Sequence, residues 1–301
     1  MWCRKAAHEA GYRERGRAAR VLADTDFMTR ALRLLTWNVW GRLGDWEARQ
    51  PAIDAALIAA RPDVIAIQET WRDGDQWPQL DRVARLLGFH VAAAEPEGAA
   101  GDLGLGIVSR WPLAGRHVHS LPVAGSPPDS RIALVAEVMT PCGVLPVCTT
   151  HLSWPLDQSH VRQAQVRAIV TAITTGEAGN RLPAVLCGDF NAEPGSDEIR
   201  MLNGQAAVPV PGVVFQDAWQ VGGDGSPGHT WSRRNPEAAR ERFGDARLDY
   251  ILVQWSGRGA VLGAEVIDGH LPGGPWGSDH LAVLAELDLD ALAGKAPEPG
   301  G

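Results

Sequence analysis

Six stretches of this chain end or carry apolar runs whose polar residues can hold a cation or move a proton. Asn38 follows Leu34-Leu35-Thr36-Trp37, and Glu69 follows Ile65-Ala66-Ile67-Gln68. His151 follows Val147-Cys148-Thr149-Thr150, and Asp189 and Asn191 follow Val185-Leu186-Cys187-Gly188. Asp249 stands inside Arg247-Leu248-Asp249-Tyr250-Ile251-Leu252, and Asp279-His280 precede Leu281-Ala282-Val283-Leu284. Taken singly, most have plainer explanations. Glu69 suits a surface acid, His151 a satisfied histidine, Asp189 and Asn191 turn formers, and Asp279-His280 a cap. Asp249 is harder to place, because an acid among Leu248, Tyr250 and Ile251 needs a partner if buried. Jointly, each run delivers one or two polar groups, and ligands commonly bind at loops beyond strand ends. Oxygen donors of this kind suit a hard divalent cation, and the reaction they imply is cleavage of a phosphate ester by water.

The elements that must position these groups alternate along the chain. Strands are expected over 32–39, 64–67 and 105–109. Ile53 and Leu57 at i, i+4 predict a helix over 47–60, which Arg61-Pro62 ends. Leu80, Val83 and Leu87 share one face of a helix over 79–87, with Gly88 as its stop. Residues 131–139 and 144–150 flank Thr140-Pro141-Cys142-Gly143, a hairpin signal. A helix follows over 161–172, then a strand over 184–187 and a short helix from Ser196 to Leu202. Residues 222–228 read as a loop, and strands close the chain over 248–253, 261–267 and 281–287. Hairpins mixed with helices predict an α+β layered sandwich rather than a strictly parallel sheet. Neither GxGxxG after the first strand nor a GxxxxGK[ST] loop is present.

The 301 residues, 45% of them hydrophobic, suffice for one large α/β domain. Its expected limits are 30–290. Residues 1–29 are expected to be a poorly ordered extension, with Met28 an alternative start, and 291–301 a disordered tail. The polar leader lacks the order of parts of a secretory signal, and no apolar run approaches membrane-spanning length. Cys3, Cys142, Cys148 and Cys187 show no CxxC spacing, so neither a zinc site nor a disulfide framework is indicated, and a cytoplasmic monomer is expected. The net charge of -8 weighs against a protein that grips duplex nucleic acid through a basic face. A metal among carboxylates would restore positive charge where a phosphate must sit.

These stretches, in this order, resemble the endonuclease/exonuclease/phosphatase superfamily. Thr36-Trp37-Asn38-Val39-Trp40-Gly41 is similar to its first motif, Ile67-Gln68-Glu69 to "LQE" and Thr150-His151-Leu152 to "THL". Gly188-Asp189-Phe190-Asn191 matches "GDFN", Arg247-Leu248-Asp249-Tyr250-Ile251 resembles "RIDYI", and Ser278-Asp279-His280 matches "SDH". The resemblance implies a four-layer sandwich, two packed and mostly antiparallel sheets flanked by helices. It also implies a phosphoesterase that uses Mg²⁺, or in some members Mn²⁺. Members include deoxyribonucleases, abasic-site endonucleases, sphingomyelinases, inositol polyphosphate 5-phosphatases and tyrosyl-DNA phosphodiesterases.

Carried over residue by residue, the resemblance makes Glu69 the main metal ligand, with Asn38 and Asp279 completing or orienting the shell. His280, partnered by Asp249, either takes a proton from water or holds the phosphate as an imidazolium; Asp189, assisted by Asn191, is the rival base. His151 donates to a phosphoryl oxygen or protonates the leaving group. The acid that orients the "THL" histidine in deoxyribonucleases has only a poor match, Asp102. Twelve Trp stand against five Phe and two Tyr. Trp40, Trp71, Trp154 and Trp231, beside the motifs, are candidate substrate contacts, and Arg233 in the basic stretch before Asp249 is a candidate phosphate contact. The expected activity is nuclease-like or general phosphodiesterase. Sphingomyelinase-like and small-molecule phosphatase activities are the alternatives, and a silent binding scaffold is the alternative of another class.

Overall fold

The computed structural model describes residues 31–98, 104–123, 130–174, 181–241 and 243–295. The proposed N-terminal extension, Asp102 and the last six residues lie outside them. The elements run β1 (Ala31–Asn38), α1 (Trp46–Ala60), β2 (Val64–Thr70), α2 (Pro78–Leu87), β3 (His90–Ala94), β4 (Gly104–Ser109), β5 (Leu113–Leu121), β6 (Arg131–Thr140) and β7 (Gly143–His151). They continue with α3 (Ser159–Thr174), β8 (Val185–Asp189), α4 (Asp197–Leu202), β9 (Phe215–Asp217), α5 (Ala218–Gly222), α6 (Pro236–Arg240), β10 (Asp249–Gln254), β11 (Val261–Ile267), β12 (Ala282–Asp288) and α7 (Leu289–Leu292).

Two six-stranded sheets pack face to face, in the orders β11-β12-β1-β2-β4-β3 and β5-β6-β7-β8-β10-β9. Each is antiparallel except for one central pair: β1 runs parallel to β2, and β7 parallel to β8. The central strands are buried on both faces, which is why they read as continuous apolar runs rather than alternations. In β1, Leu32 and Leu34 enter the core between the sheets, while Leu35 and Trp37 enter a second core under α1 and α2. In β8, Val185 and Cys187 face the inter-sheet core, while Leu186 packs under α3 and α4 with Val166, Ile169 and Ile199. Three apolar layers thus separate helices, sheet, sheet and helices, the four-layer α+β sandwich that the motifs imply.

Local chemistry sets the element ends. Asp45 caps α1 by accepting from Ala48 N, and Arg61 ends it in the left-handed region. Pro78 opens α2, and Gly88 closes it at φ 73°. The structure adds elements the pattern does not reveal. β3 is mostly alanine, a weak strand former held by β4 alone. β5 is a largely exposed edge strand carrying Arg116, His117 and His119. The ordered chain also passes the expected limit at 290: Ala291 and Leu292 are buried in α7, which Asp288 caps.

Candidate active site

The parallel central pairs bring four strand ends together. In register, Asn38 lies opposite Gln68 and His151 opposite Asp189. Antiparallel neighbours begin at the same edge: Asp249, the first residue of β10, faces Asp189. Asp279 and His280 immediately precede β12, the partner of β1.

One amide joins the two sheets. Asn38 Nδ2 donates to Glu69 Oε1 at 2.9 Å and to Asp189 Oδ2 at 3.0 Å, while its Oδ1 accepts from Trp40 N at 3.0 Å. The amide thereby sets the positions of both carboxylates. Asp189 Oδ1 accepts from Asn191 N at 2.9 Å. Its Oδ2 stands 3.5 Å from His151 Nε2 and 3.7 Å from His280 Nε2. His280 Nδ1 is 2.8 Å from Asp249 Oδ2. Asn191 spends its side-chain amide on Leu152 O, which ties the Asp189 turn to the loop after His151.

The surrounding charges sort the ionisable groups. Burial, with Asp279 adding to it, pushes the Glu69 carboxyl up to about 7, although Asn38 and His280 oppose the shift. Burial likewise pushes Asp279 up to about 6, against His280 and the Ser278 hydroxyl. Burial, reinforced by Arg131, takes His151 down to about 3, so its imidazole is neutral near pH 7. Burial also pulls His280 down, but Asp249, Asp189 and Asp279 outweigh it and hold His280 well above the usual histidine range.

A hard divalent cation fits this donor set. Glu69 and Asp279 are neighbouring oxygen donors whose carboxyls burial pushes up and His280 only partly pulls back, and a cation would supply the further positive charge. Asp189, Asp249 and His280 also offer ligand atoms within 4.8 Å of one another. There, however, the Asp249–His280 bond already occupies one oxygen and one ring nitrogen. Glu69 and Asp279 are therefore the better candidates.

Backbone strain gathers at this edge. Trp40, Glu69 and Asn191 are non-glycine residues at φ 59°, 58° and 49°. Glu69 sits where the β2–β4 register shifts, so the bulge turns its side chain toward the site. Gly188 (φ 133°) must be glycine, because a Cβ there would meet Thr150 O at 2.0 Å.

The structure gathers Asn38, Glu69, His151, Asp189, Asn191, Asp249, Asp279 and His280. Trp231 joins them: its ring meets His280 edge-on at 5.0 Å, and its buried indole N–H has no partner among the described residues. Trp40 lies over the Arg49 guanidinium at 4.9 Å, and Trp154, 62% exposed, stands on the loop after His151. The other two substrate candidates have partners within the chain. Trp71 is buried edge-on against Trp46 at 4.9 Å. Arg233 is turned to Asp245, which accepts from its backbone N–H at 2.6 Å and lies 3.5 Å from its guanidinium.

Several positioning residues are given no role by the motif reading. Gln68 Nε2 donates to Thr36 Oγ1 at 3.0 Å and to Thr149 Oγ1 at 2.8 Å, a second bridge between the sheets. Buried Arg49 donates to the carbonyls of Val39, Trp40, Gly41, Leu43 and Gly277, locking the loop after Asn38 to the segment before Asp279. Thr230 Oγ1 accepts from the backbone N–H groups of Leu248 and Asp249, and Asn235 Nδ2 donates to the carbonyls of Ser278 and Asp279. The one sequence signal for the last two is polarity, in the His229–Pro236 stretch otherwise read as a basic loop.

Comparison with known proteins agrees with this geometry. The Endonuclease/Exonuclease/phosphatase family profile matches residues 35–280. The chain is 25% identical over 293 residues to a putative neutral sphingomyelinase of Drosophila melanogaster, covering 89% of this chain and 63% of that protein. It is 22% identical over 292 residues to nocturnin of Rattus norvegicus, covering 86% and 66%. The chain thus spans less than two thirds of the length of these curated relatives. Among solved structures, D. rerio TDP2 complexed with single strand DNA product superposes with a TM-score of 0.69 at 20% identity, covering 85% of this chain and 98% of that one. The human nocturnin catalytic domain with bound sulfate gives 0.61 at 22% identity, covering 86% and 94%. With the profile spanning all six motifs, the chain belongs to the endonuclease/exonuclease/phosphatase family.

Proposed function

We propose that the chain is a divalent-metal-dependent phosphodiesterase that hydrolyses its substrate by in-line attack of water. The observation that carries this reading is the Asn38 amide, bonded at once to Glu69 on the metal side and to Asp189 on the water side. Glu69 and Asp279 would hold Mg²⁺ or Mn²⁺, which would supply polarisation of a phosphoryl oxygen and charge for the leaving oxygen.

The remaining work falls to the chain's own groups. His280, kept protonated by Asp249, holds a phosphoryl oxygen through Nε2 as a charged donor. That assignment leaves Asp189 as the group that orients water and takes its proton, with Asn191 N–H fixing the other carboxylate oxygen. His151, neutral at pH 7, serves as a hydrogen-bond donor to phosphate rather than as an acid.

The single strand DNA in the TDP2 structure and the sphingomyelinase name of one relative put nucleic acid and lipid phosphodiesters on the same panel. No helix among the described residues is long and apolar enough to cross a membrane. The test is hydrolysis of bis-p-nitrophenyl phosphate, p-nitrophenyl phosphate, single- and double-stranded DNA and sphingomyelin with Mg²⁺, Mn²⁺ or EDTA, beside Asp189→Ala. Metal-dependent turnover lost in the variant supports the reading. Absence of turnover on every substrate with folded, metal-loaded protein favours a silent scaffold.

A further inference from the structure

A second concavity lies beyond the Asp189–Asn191 turn. It measures about 450 Å³ and is walled by α4, by β9 and α5, and by the loop that follows α5. That volume is in the range of small-molecule sites. Its chemistry is specific in three ways.

First, the lining is neutral. Arg247 and Asp217 are its ionisable residues, both are buried, and they pair at 2.6 Å. An anion placed there would meet the Asp217 carboxylate, and a cation would meet the Arg247 guanidinium.

Second, one wall is flat and held rigidly. Trp219 Nε1 donates to Ser226 O at 3.0 Å. Gly223 and Gly228 sit so close to the indole that a Cβ at either would lie 2.8 Å or 2.3 Å from the ring. The two glycines are what let the indole lie down against the loop.

Third, the cavity offers unspent hydrogen-bonding groups. Arg247 is 6% exposed and its guanidinium is spent on Asp217, so the groups on offer are side-chain amides. The side-chain amides of Gln205 and Gln220, and the Asn203 Nδ2, have no bonded partner among the described residues, and all three residues line the cavity.

We propose that this cavity binds an uncharged planar heterocycle of the nucleobase class, stacked on Trp219 with its polar edge on the side-chain amides. Side-chain amides match the donor and acceptor edges of bases, and an indole is a stacking platform for any of them. The cavity also lies near the candidate active site. Pro194 in its wall is three residues from Asn191, and Arg247 is two from Asp249. At no more than about 3.6 Å per residue these walls stand within roughly 11 Å and 7 Å of the site. Tyr250 hydroxyl fastens the two, donating to both Ala192 O and Arg247 O. A nucleoside seated here would reach the site through its own phosphate. The proposal therefore rests on the phosphodiesterase reading and narrows it to nucleotide esters.

The test has two arms. Saturation-transfer NMR with thymidine and adenosine reads the cavity without catalysis. Signal is expected for the wild-type protein and its loss in Gln205→Ala/Gln220→Ala, both exposed positions whose replacement spares the core. Steady-state hydrolysis of thymidine 5′-(p-nitrophenyl) phosphate and of bis-p-nitrophenyl phosphate reads the coupling. The double variant is expected to lower the ratio of the two kcat/KM values about tenfold, through KM of the nucleoside ester. No transfer to either nucleoside with wild type, or an unmoved ratio, overturns the proposal. Failure of both esters to turn over refutes the phosphodiesterase reading instead, while the NMR arm still decides the cavity.

Discussion

Replacing Asp249 by Asn changes one charge at almost constant volume. In the wild-type protein its Oδ2 faces His280 Nδ1 at 2.8 Å in a buried pair. A hydrogen bond to a charged group is worth about 1.5–3 kcal/mol. At about 1.4 kcal/mol per factor of ten, losing it should lower kcat roughly 10- to 150-fold if imidazolium is the form that holds the phosphate. The pH dependence is more telling. Burial pulls His280 down, and Asp249 is the first of the charges that lift it. Without Asp249 the imidazole deprotonates at lower pH, so the alkaline limb of kcat must move toward acid. The stability effect has the same origin. A histidine raised above its unfolded value of about 6.5 contributes fully below that pH, and the contribution disappears as pH climbs through the folded value. Asp249→Asn should therefore melt below wild type at pH 6, with the gap closing at high pH. The assay is kcat against pH with bis-p-nitrophenyl phosphate at saturating Mg²⁺, alongside calorimetric melting. A folded variant whose alkaline limb stays in place would refute the assignment of His280 as a charged donor and return it to the role of base.

The metal side predicts the opposite response to added charge. Glu69 and Asp279, at about 7 and about 6, both lie above unfolded carboxylate values, so metal-free protein holds their contribution at low pH and loses it as pH rises through 6 to 7. Metal-free Glu69→Gln should accordingly gain on wild type in melting temperature from about pH 5 to pH 8, and Mg²⁺ should stabilise wild type but not the variant. Titration calorimetry in buffers of different ionisation enthalpy should show proton release on Mg²⁺ binding to wild type near pH 6.5; uptake or no exchange contradicts the shifted carboxyls. Gly188→Ala forces a methyl against Thr150 O between β7 and β8, and about 3 kcal/mol or more should be lost, seen as a melting drop of roughly 6–12 °C; a drop under about 2 °C would show that the strands can part. Arg49→Met leaves five carbonyls without their donor and should cost roughly 3–5 kcal/mol in denaturant unfolding while weakening Mg²⁺ binding, because the loop after Asn38 loses its anchor. Stability within about 1 kcal/mol of wild type would mean that the loop holds itself.

The site was legible where polar groups interrupt apolar runs. Asn38, Glu69, His151, Asp189 and Asp249 close or open buried strands, and a polar group at such a place carries a desolvation cost that invites explanation. The central strands were legible for the same reason, as their two buried faces leave little room for polar residues. β3 and β5 were not, because alanine-rich and half-polar edge strands take their conformation from a neighbour rather than from their own pattern. The supporting residues were hidden for a different reason. Arg49 sits in an apparently ordinary amphipathic helix, and only the folded chain shows its guanidinium turned inward to five carbonyls. The partners of Trp71 and Arg233, Trp46 and Asp245, were hidden in the same way.

Why six dispersed motifs meet at one edge follows from the strand directions. A purely antiparallel sheet would send neighbouring strand ends to opposite edges. Here each sheet has one parallel pair at its centre, so β1 and β2 end together, and β7 and β8 end together. The antiparallel neighbours β12 and β10 must then begin at that edge, which places Asp279, His280 and Asp249 there at strand starts rather than ends. A pattern of four polar groups after strands and two sets at or before them is thus the imprint of two parallel pairs back to back. The same crowding explains the strain at Trp40, Glu69 and Asn191, each costing of order 1–3 kcal/mol. The chain must leave each strand abruptly to keep its polar group at the junction of the sheets. Arg49 holds the turn at Trp40, Gln68 bridges the sheets beside Glu69, and Asn235 fixes the carbonyls before His280, so these residues position the candidate site as much as they hold the fold.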